Sequence, residues 1–174
     1  MGLFPAVLFP ADELRILPYN RYVRDLNGMG AKEFLEAVKK RFTVVADGAP
    51  EPDRKGVFGM YLQGKWYELF FQGPPARHSD PVSALDHTVL HERILRPLLG
   101  ILDQTRDERI DFVGGKGSPE KLSRRVDAEG GVAFTMRPVS LEELFRVADG
   151  GMIMPPKSTW FWPKLRSGLF IHSF

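Results

Sequence analysis

The chain contains no cysteine. That absence removes disulfides, thiolate nucleophiles, iron–sulfur ligation and cysteine-bound zinc together, and it favours a cytoplasmic protein. An excess of charge of one sign is lacking too: 24 Lys and Arg against 22 Asp and Glu leave a formal charge of +2. Nucleic-acid binders concentrate far more positive charge, so this class is disfavoured despite a sequence pI near 8.9. No apolar run approaches the roughly 18 residues that cross a bilayer, so no membrane association is expected. The apolar opening from Leu3 to Phe9 is broken by Pro5 and closed by Pro10, with no basic segment before it, and lacks the pattern of a secretory leader. Internal repeats and low-complexity tracts are absent as well.

What is present is an ordinary globular mixture, 43% hydrophobic and 26% charged, over 174 residues. That length fits a single domain spanning 1–174 with a self-supporting core. Ala6-Val7-Leu8-Phe9 reads as a buried strand close to the start, which suggests the C-terminal part of a longer protein or a strand that completes another chain's sheet. Leu14 to Leu17 reads as a second strand stopped by Pro18. Gly30 to Arg41 has helical spacing, and Phe42 to Val45 reads as a strand. Val57 to Leu62 and Lys65 to Phe71, joined at Gln63-Gly64, form the clearest signal, a hairpin with a two-residue turn. Leu85 to Leu99 is an amphipathic helix, and Arg109 to Val113 and Val132 to Met136 are strands. Ser118-Pro119 and Ser140-Leu141-Glu142-Glu143 open two further helices, each with Ser as its cap and the second with a capping box. Ser158 to Trp162 and Leu169 to His172 close the chain as short strands. The interleaving predicts an α+β fold, a single domain with a mixed, largely antiparallel sheet and about four helices.

Four segments carry candidate chemistry. Gly114-Gly115-Lys116-Gly117-Ser118 lies between a strand and a helix start, where backbone amides and Lys116 suit an anion. It is not a Walker loop, because Ile110 stands where that pattern needs Gly. In the tail, Lys157, Ser158 and Thr159 follow two prolines, and Lys164 and Arg166 alternate with Pro163 and Leu165; a phosphate or carboxylate suits them. Tyr19, Asn20 and Arg21 sit just past a strand end, placed to bond an anionic ligand. His87 and His91 stand four apart, a spacing that can share a metal, but Thr88 occupies the position where the zincin motif has Glu. No metal ligands are assigned, no serine–histidine–acid set stands out, and no catalytic residue or cofactor is singled out.

Leu17-Pro18-Tyr19-Asn20-Arg21, Phe58-Gly59-Met60-Tyr61 and Arg109-Ile110-Asp111-Phe112-Val113-Gly114-Gly115 form a recognisable set with the tail. Met154-Pro155-Pro156-Lys157-Ser158-Thr159-Trp160-Phe161 and Pro163-Lys164-Leu165-Arg166-Ser167-Gly168-Leu169 are its most specific part. Together they resemble the bacterial and archaeal domain-of-unknown-function family ten-fifteen, over essentially the whole chain. Full-length members are about twice as long, so the resemblance is to their C-terminal half. The other half of the family bears an Asp-Gly-His-His-Arg-type motif, similar to those of ParB-like and sulfiredoxin-like nucleotide-using proteins, some of which phosphorylate free serine. That motif does not occur here, and His87 and Trp162 depart from the family pattern. The resemblance implies the ligand- or phosphate-positioning half of a small-molecule enzyme, nucleotide-dependent and phosphotransferase-like. Lys157 and Arg166 would clamp the anion, Ser158 and Thr159 would hydrogen-bond it, and the Gly114 loop would cradle phosphate. The alternative is a non-catalytic binding or assembly module that completes an oligomer or pairs with the N-terminal half.

Overall fold

The computed structural model describes residues 6–10, 12–73, 80–164 and 168. Along the chain come β1 (Arg15–Leu17), β2 (Tyr19–Val23), α1 (Ala31–Lys39), β3 (Phe42–Ala46), β4 (Val57–Leu62) and β5 (Lys65–Phe71). They are followed by α2 (Asp86–Leu90), which runs into a π-helical turn (His91–Leu95), then β6 (Ile110–Gly114) and α3 (Ser118–Glu129). The last elements are β7 (Val132–Met136), α4 (Leu141–Asp149) and β8 (Trp160–Trp162). Six strands form one sheet in the order β3-β5-β4-β7-β2-β6, and β1 and β8 form a separate two-stranded ribbon. Every pairing among the described residues is antiparallel. The α+β class and the single compact architecture are as the sequence implied.

Alternation along the strands decides what each face carries. Val23, Phe58, Met60, Leu69 and Phe134 point to one face, where Phe34 and Val38 of α1 and Leu90, Ile94 and Leu95 of the α2 segment cover them. Tyr22, Tyr61 and Ala133 point to the other, under Leu122 and Val126 of α3. The β4–β5 hairpin forms in the expected register, with Leu62 opposite Lys65 and positive φ at both Gln63 and Gly64. The capping box of α4 is complete: the Ser140 hydroxyl accepts from the Glu143 N–H at 3.1 Å, and the Glu143 carboxylate accepts from the Ser140 N–H at 3.0 Å.

Four local expectations are corrected. Ala6 to Phe9 is not a buried strand: the segment has no regular structure, and Leu8 is 94% exposed. Pro18 ends β1 as expected, but a further strand, β2, begins directly after it where a loop was expected, because a proline lacking its N–H is tolerated at a strand boundary. Its carbonyl accepts from the Gly115 N–H at 3.2 Å. Tyr19, Asn20 and Arg21 are therefore strand residues rather than loop residues. At α3 the cap is Gly117, in the left-handed region at φ 67°, with Ser118 already helical. The Ser118 hydroxyl is instead bonded to Asn20 across the fold, at 2.8 Å. Leu85 to Leu99 buries the apolar face its spacing implied, but as a short α-helix followed by a π-helical turn. The proposed strand Leu169 to His172 lies outside the described residues. Among those residues, no helix is long and apolar enough to cross a membrane.

Candidate functional site

The β1–β8 ribbon is held to the sheet by Trp160. Its ring packs on the backbone of Gly114, where an added Cβ would run into the indole. Tyr19 meets the same ring edge-on at 5.2 Å between centroids. Gly114 is thus required by aromatic packing, a different reason from the phosphate approach its loop suggested. Between ribbon and sheet lies an open groove of about 630 Å³, lined by Phe9, Leu14, Tyr19, Lys157, Thr159, Trp160, Phe161, Pro163 and Lys164. The Lys164 ammonium stands 3.6 Å above the Trp160 ring, within cation–π range. Lys157 sits at φ 55°, a left-handed conformation uncommon for a side chain of its size. The turn that holds it there is closed by the buried Ser158, whose hydroxyl donates to the Pro155 carbonyl at 2.7 Å.

A second, smaller cleft of about 270 Å³ flanks the other side of the Leu17–Pro18 link. Gly115 and Lys116 form one wall, Thr135 and Met136 another, and Glu51 reaches it from the loop between β3 and β4. Asn20 lines it too, and both polar ends of its side chain are bonded. Its amide donates to Ser118, and its carbonyl accepts from the Met136 N–H at 3.1 Å, so it ties β2, β7 and α3 together.

The structure therefore divides the residues selected from sequence. Tyr19, Lys157 and Thr159 share the large groove; Asn20, Gly115 and Lys116 share the adjoining cleft. Ser158 and Gly114 support these walls from behind. Arg166 lies outside the described residues. Arg21 goes elsewhere: alternation turns it to the face under α2, where it is fully buried. Its guanidinium donates to Gln104 Oε1 at 3.3 Å and to the Tyr19 carbonyl, and it lies over the Phe112 ring. Burial lowers its pKa to about 9. Trp160 and Phe161 were visible in sequence only as tail aromatics. Thr135 and Glu51 carried no local signal at all, since only the tertiary fold brings them to a cleft.

His87 and His91 do lie on successive helical turns, but their surroundings do not suit a metal. His87 is buried, and burial together with the nearby Arg21 and Arg137 cations holds its pKa well below the ordinary histidine value. The Arg21 and Arg137 cations beside the ring add a repulsion that a divalent cation would meet. Among the described residues, no group of three His, Asp or Glu side chains comes together as a ligand set. Beside it, Asp86 accepts from the Gly56 N–H at 2.9 Å and faces Arg137 Nε at 3.4 Å. Burial raises its pKa from the ordinary aspartate value.

The groove thus offers a flat aromatic wall, a hydroxyl and two ammonium groups, and the cleft offers a third ammonium beside a glycine loop. Such a set can hold an anionic small molecule with a planar part. No curated protein matches the sequence. Among solved structures, a free serine kinase in complex with AMP is 15% identical, with a TM-score of 0.48, over 87% of this chain and 55% of that one. A mutant form of a free serine kinase in complex with ADP is 17% identical, with a TM-score of 0.46 and the same coverages. The chain spans about half the length of these structures, and likeness of this degree carries no functional argument. The sequence model of the family described as "Protein of unknown function (DUF1015)" matches residues 2–88, which is half of the chain. On that match, the chain belongs to the DUF1015 family.

Proposed function

We propose that this chain positions a phosphate-bearing small molecule of the nucleotide class in the groove between the β1–β8 ribbon and the sheet, as the ligand-holding part of a phosphotransferase-type enzyme. The observation that carries this reading is convergence. Tyr19, far away in sequence, lines one 630 Å³ groove together with Lys157, Thr159, Trp160 and Lys164 of the tail. Trp160 and Phe161 give a planar base an apolar surface to stack on. Lys157, Thr159 and Lys164 supply charge and a hydroxyl to the phosphates, with Lys116 across the Leu17–Pro18 link for a longer phosphate chain. A base that stacks on Trp160 takes the place of the Lys164 ammonium and frees it to pair with phosphate. Phosphoryl transfer draws most of its rate from such positioning and charge neutralisation. In this reading the reacting groups come from outside the described residues.

Calorimetric titration of the full chain with AMP and ADP tests this. Lys157→Gly removes the charge while relieving the left-handed backbone. Binding should weaken roughly tenfold, the loss of about one charge-assisted hydrogen bond, with folding stability unchanged or raised. Unchanged affinity for both nucleotides in Lys157→Gly and Lys164→Ala overturns the assignment. A second reading, an assembly module, is favoured by the apolar side chains exposed at the same end, Phe161 and Trp162 on β8 and Leu8 before β1. A chain that sediments as a monomer at micromolar concentration counts against it.

A further inference from the structure

At the opposite edge of the sheet, separate elements bring four cations round one depression of about 360 Å³. Lys39 and Lys40 come from the end of α1, Arg41 from the turn that follows, and Arg93 from the π-helical turn. None of the described residues that line it is acidic. Lys39 pairs with Glu36 at 2.7 Å, but among the described residues Lys40, Arg41 and Arg93 have no carboxylate partner. Several arginines elsewhere are directly neutralised: Arg109 with Asp107, Arg125 with Asp111, Arg137 with Glu143.

The helix dipole accounts for cations at the end of α1. It does not account for Arg93, which arrives from a distant part of the sequence on a turn type enriched at functional sites. Both guanidinium groups are also held in place. Arg41 Nη1 donates to the Ala37 carbonyl at 3.1 Å, and Arg93 lies over the Phe71 ring at 5.5 Å. Among the lining residues, Gln72 Nε2 donates to the Thr43 hydroxyl, which leaves that hydroxyl's own proton for a ligand oxygen. Positioned guanidinium forks with an ammonium beside them are the donor set that oxyanions of the phosphate class require.

We infer that this depression is a second binding site, for a small phosphate-class anion carrying two or more negative charges. It stands four strands from Tyr19 in the sheet, roughly 19 Å at the usual strand spacing. It does not depend on the nucleotide reading of the ribbon groove.

Titration of the isotope-labelled full chain with pyrophosphate, at constant ionic strength set with sodium chloride, tests it by amide chemical shifts. Saturable shifts are expected at Arg41 to Thr43 and at Gln72 and Gly73. Lys40→Gln with Arg93→Gln should weaken binding tenfold or more, whereas Lys65→Gln, at an exposed cation that lines neither site, should leave it unchanged. Both side chains are exposed; if the double variant is unstable, Lys40→Glu alone reads the same loss. The assignment fails if pyrophosphate does not saturate below about 10 mM, the limit of weak specific binding. It also fails if the shifts centre on the ribbon groove, or if the Lys40 and Arg93 variants bind as tightly as the parent.

Discussion

Gly114 shows how one missing Cβ positions a site. Because nothing projects from it, the Trp160 indole can lie against the β6 backbone and fix one wall of the groove. Gly114→Ala forces that ring to move, and overpacking of this kind costs about 1–3 kcal/mol. For a chain of this size that is a fall in melting temperature of roughly 2–10 °C, readable by calorimetry, together with weaker AMP binding. His87 makes a different claim at the same scale. Its folded pKa is depressed by burial and by Arg21 and Arg137, so the folded state binds the proton less well than the unfolded chain. The stability it contributes is complete above the ordinary value of about 6.5 and is lost as pH falls below it toward the lowered folded value. His91, lowered by its own burial, acts in the same direction. Asp86 acts oppositely, since its raised folded pKa holds a proton that the unfolded chain releases. Melting temperature should therefore drop between pH 7 and pH 5. In His87→Leu, which removes the titrating ring and keeps an apolar volume, the drop should be smaller; an equal drop would assign the acid sensitivity elsewhere.

Among the elements, those set by local chemistry were legible in the sequence. The hairpin at Gln63-Gly64 follows from two residues that accept positive φ, and α4 follows from Ser140 and Glu143 three apart. Ser140→Ala removes one half of that reciprocal pair and should cost about 1 kcal/mol by denaturant unfolding, without changing the slope of the transition. A loss below about 0.3 kcal/mol would mean that α4 is held by its packing rather than by its cap. Elements set by distant partners were less legible. β2 was hidden because Pro18 reads locally as the end of a strand, and the partners that make Tyr19–Val23 a strand, β6 and β7, lie far away in sequence. The cap of α3 was misplaced by one residue because Asn20, far away in sequence, claims the Ser118 hydroxyl. The site divides the same way. The cations and hydroxyls of the tail stand together in sequence and were visible there, while Thr135, Glu51 and the burial of Arg21 depend on sheet order, which no local pattern encodes.

For the whole molecule, the sheet separates two chemistries. The ribbon groove and the Gly115 cleft lie at the β2–β6 edge, and the basic depression lies at the β3–β5 edge. The formal charge of +2 conceals this, since several arginines are neutralised by neighbours while Lys40, Arg41 and Arg93 stand together without a carboxylate partner among the described residues. The ribbon has a further consequence, in the order of folding. β1 and β8 bond only to each other among the described strands, and their register joins Arg15 to Trp162 across nearly the whole chain. Two strands alone are marginal in water, and a contact of such sequence separation forms late because the loop it closes must be gathered first. The clasp is therefore the last structure made and the first released, through an opening that leaves the six-stranded sheet intact. Amides of Arg15–Leu17 and Trp160–Trp162 should exchange with solvent well before those of β4 and β7. A ligand seated against Trp160 would slow them selectively, so that occupancy of the groove is recorded in the lifetime of the clasp.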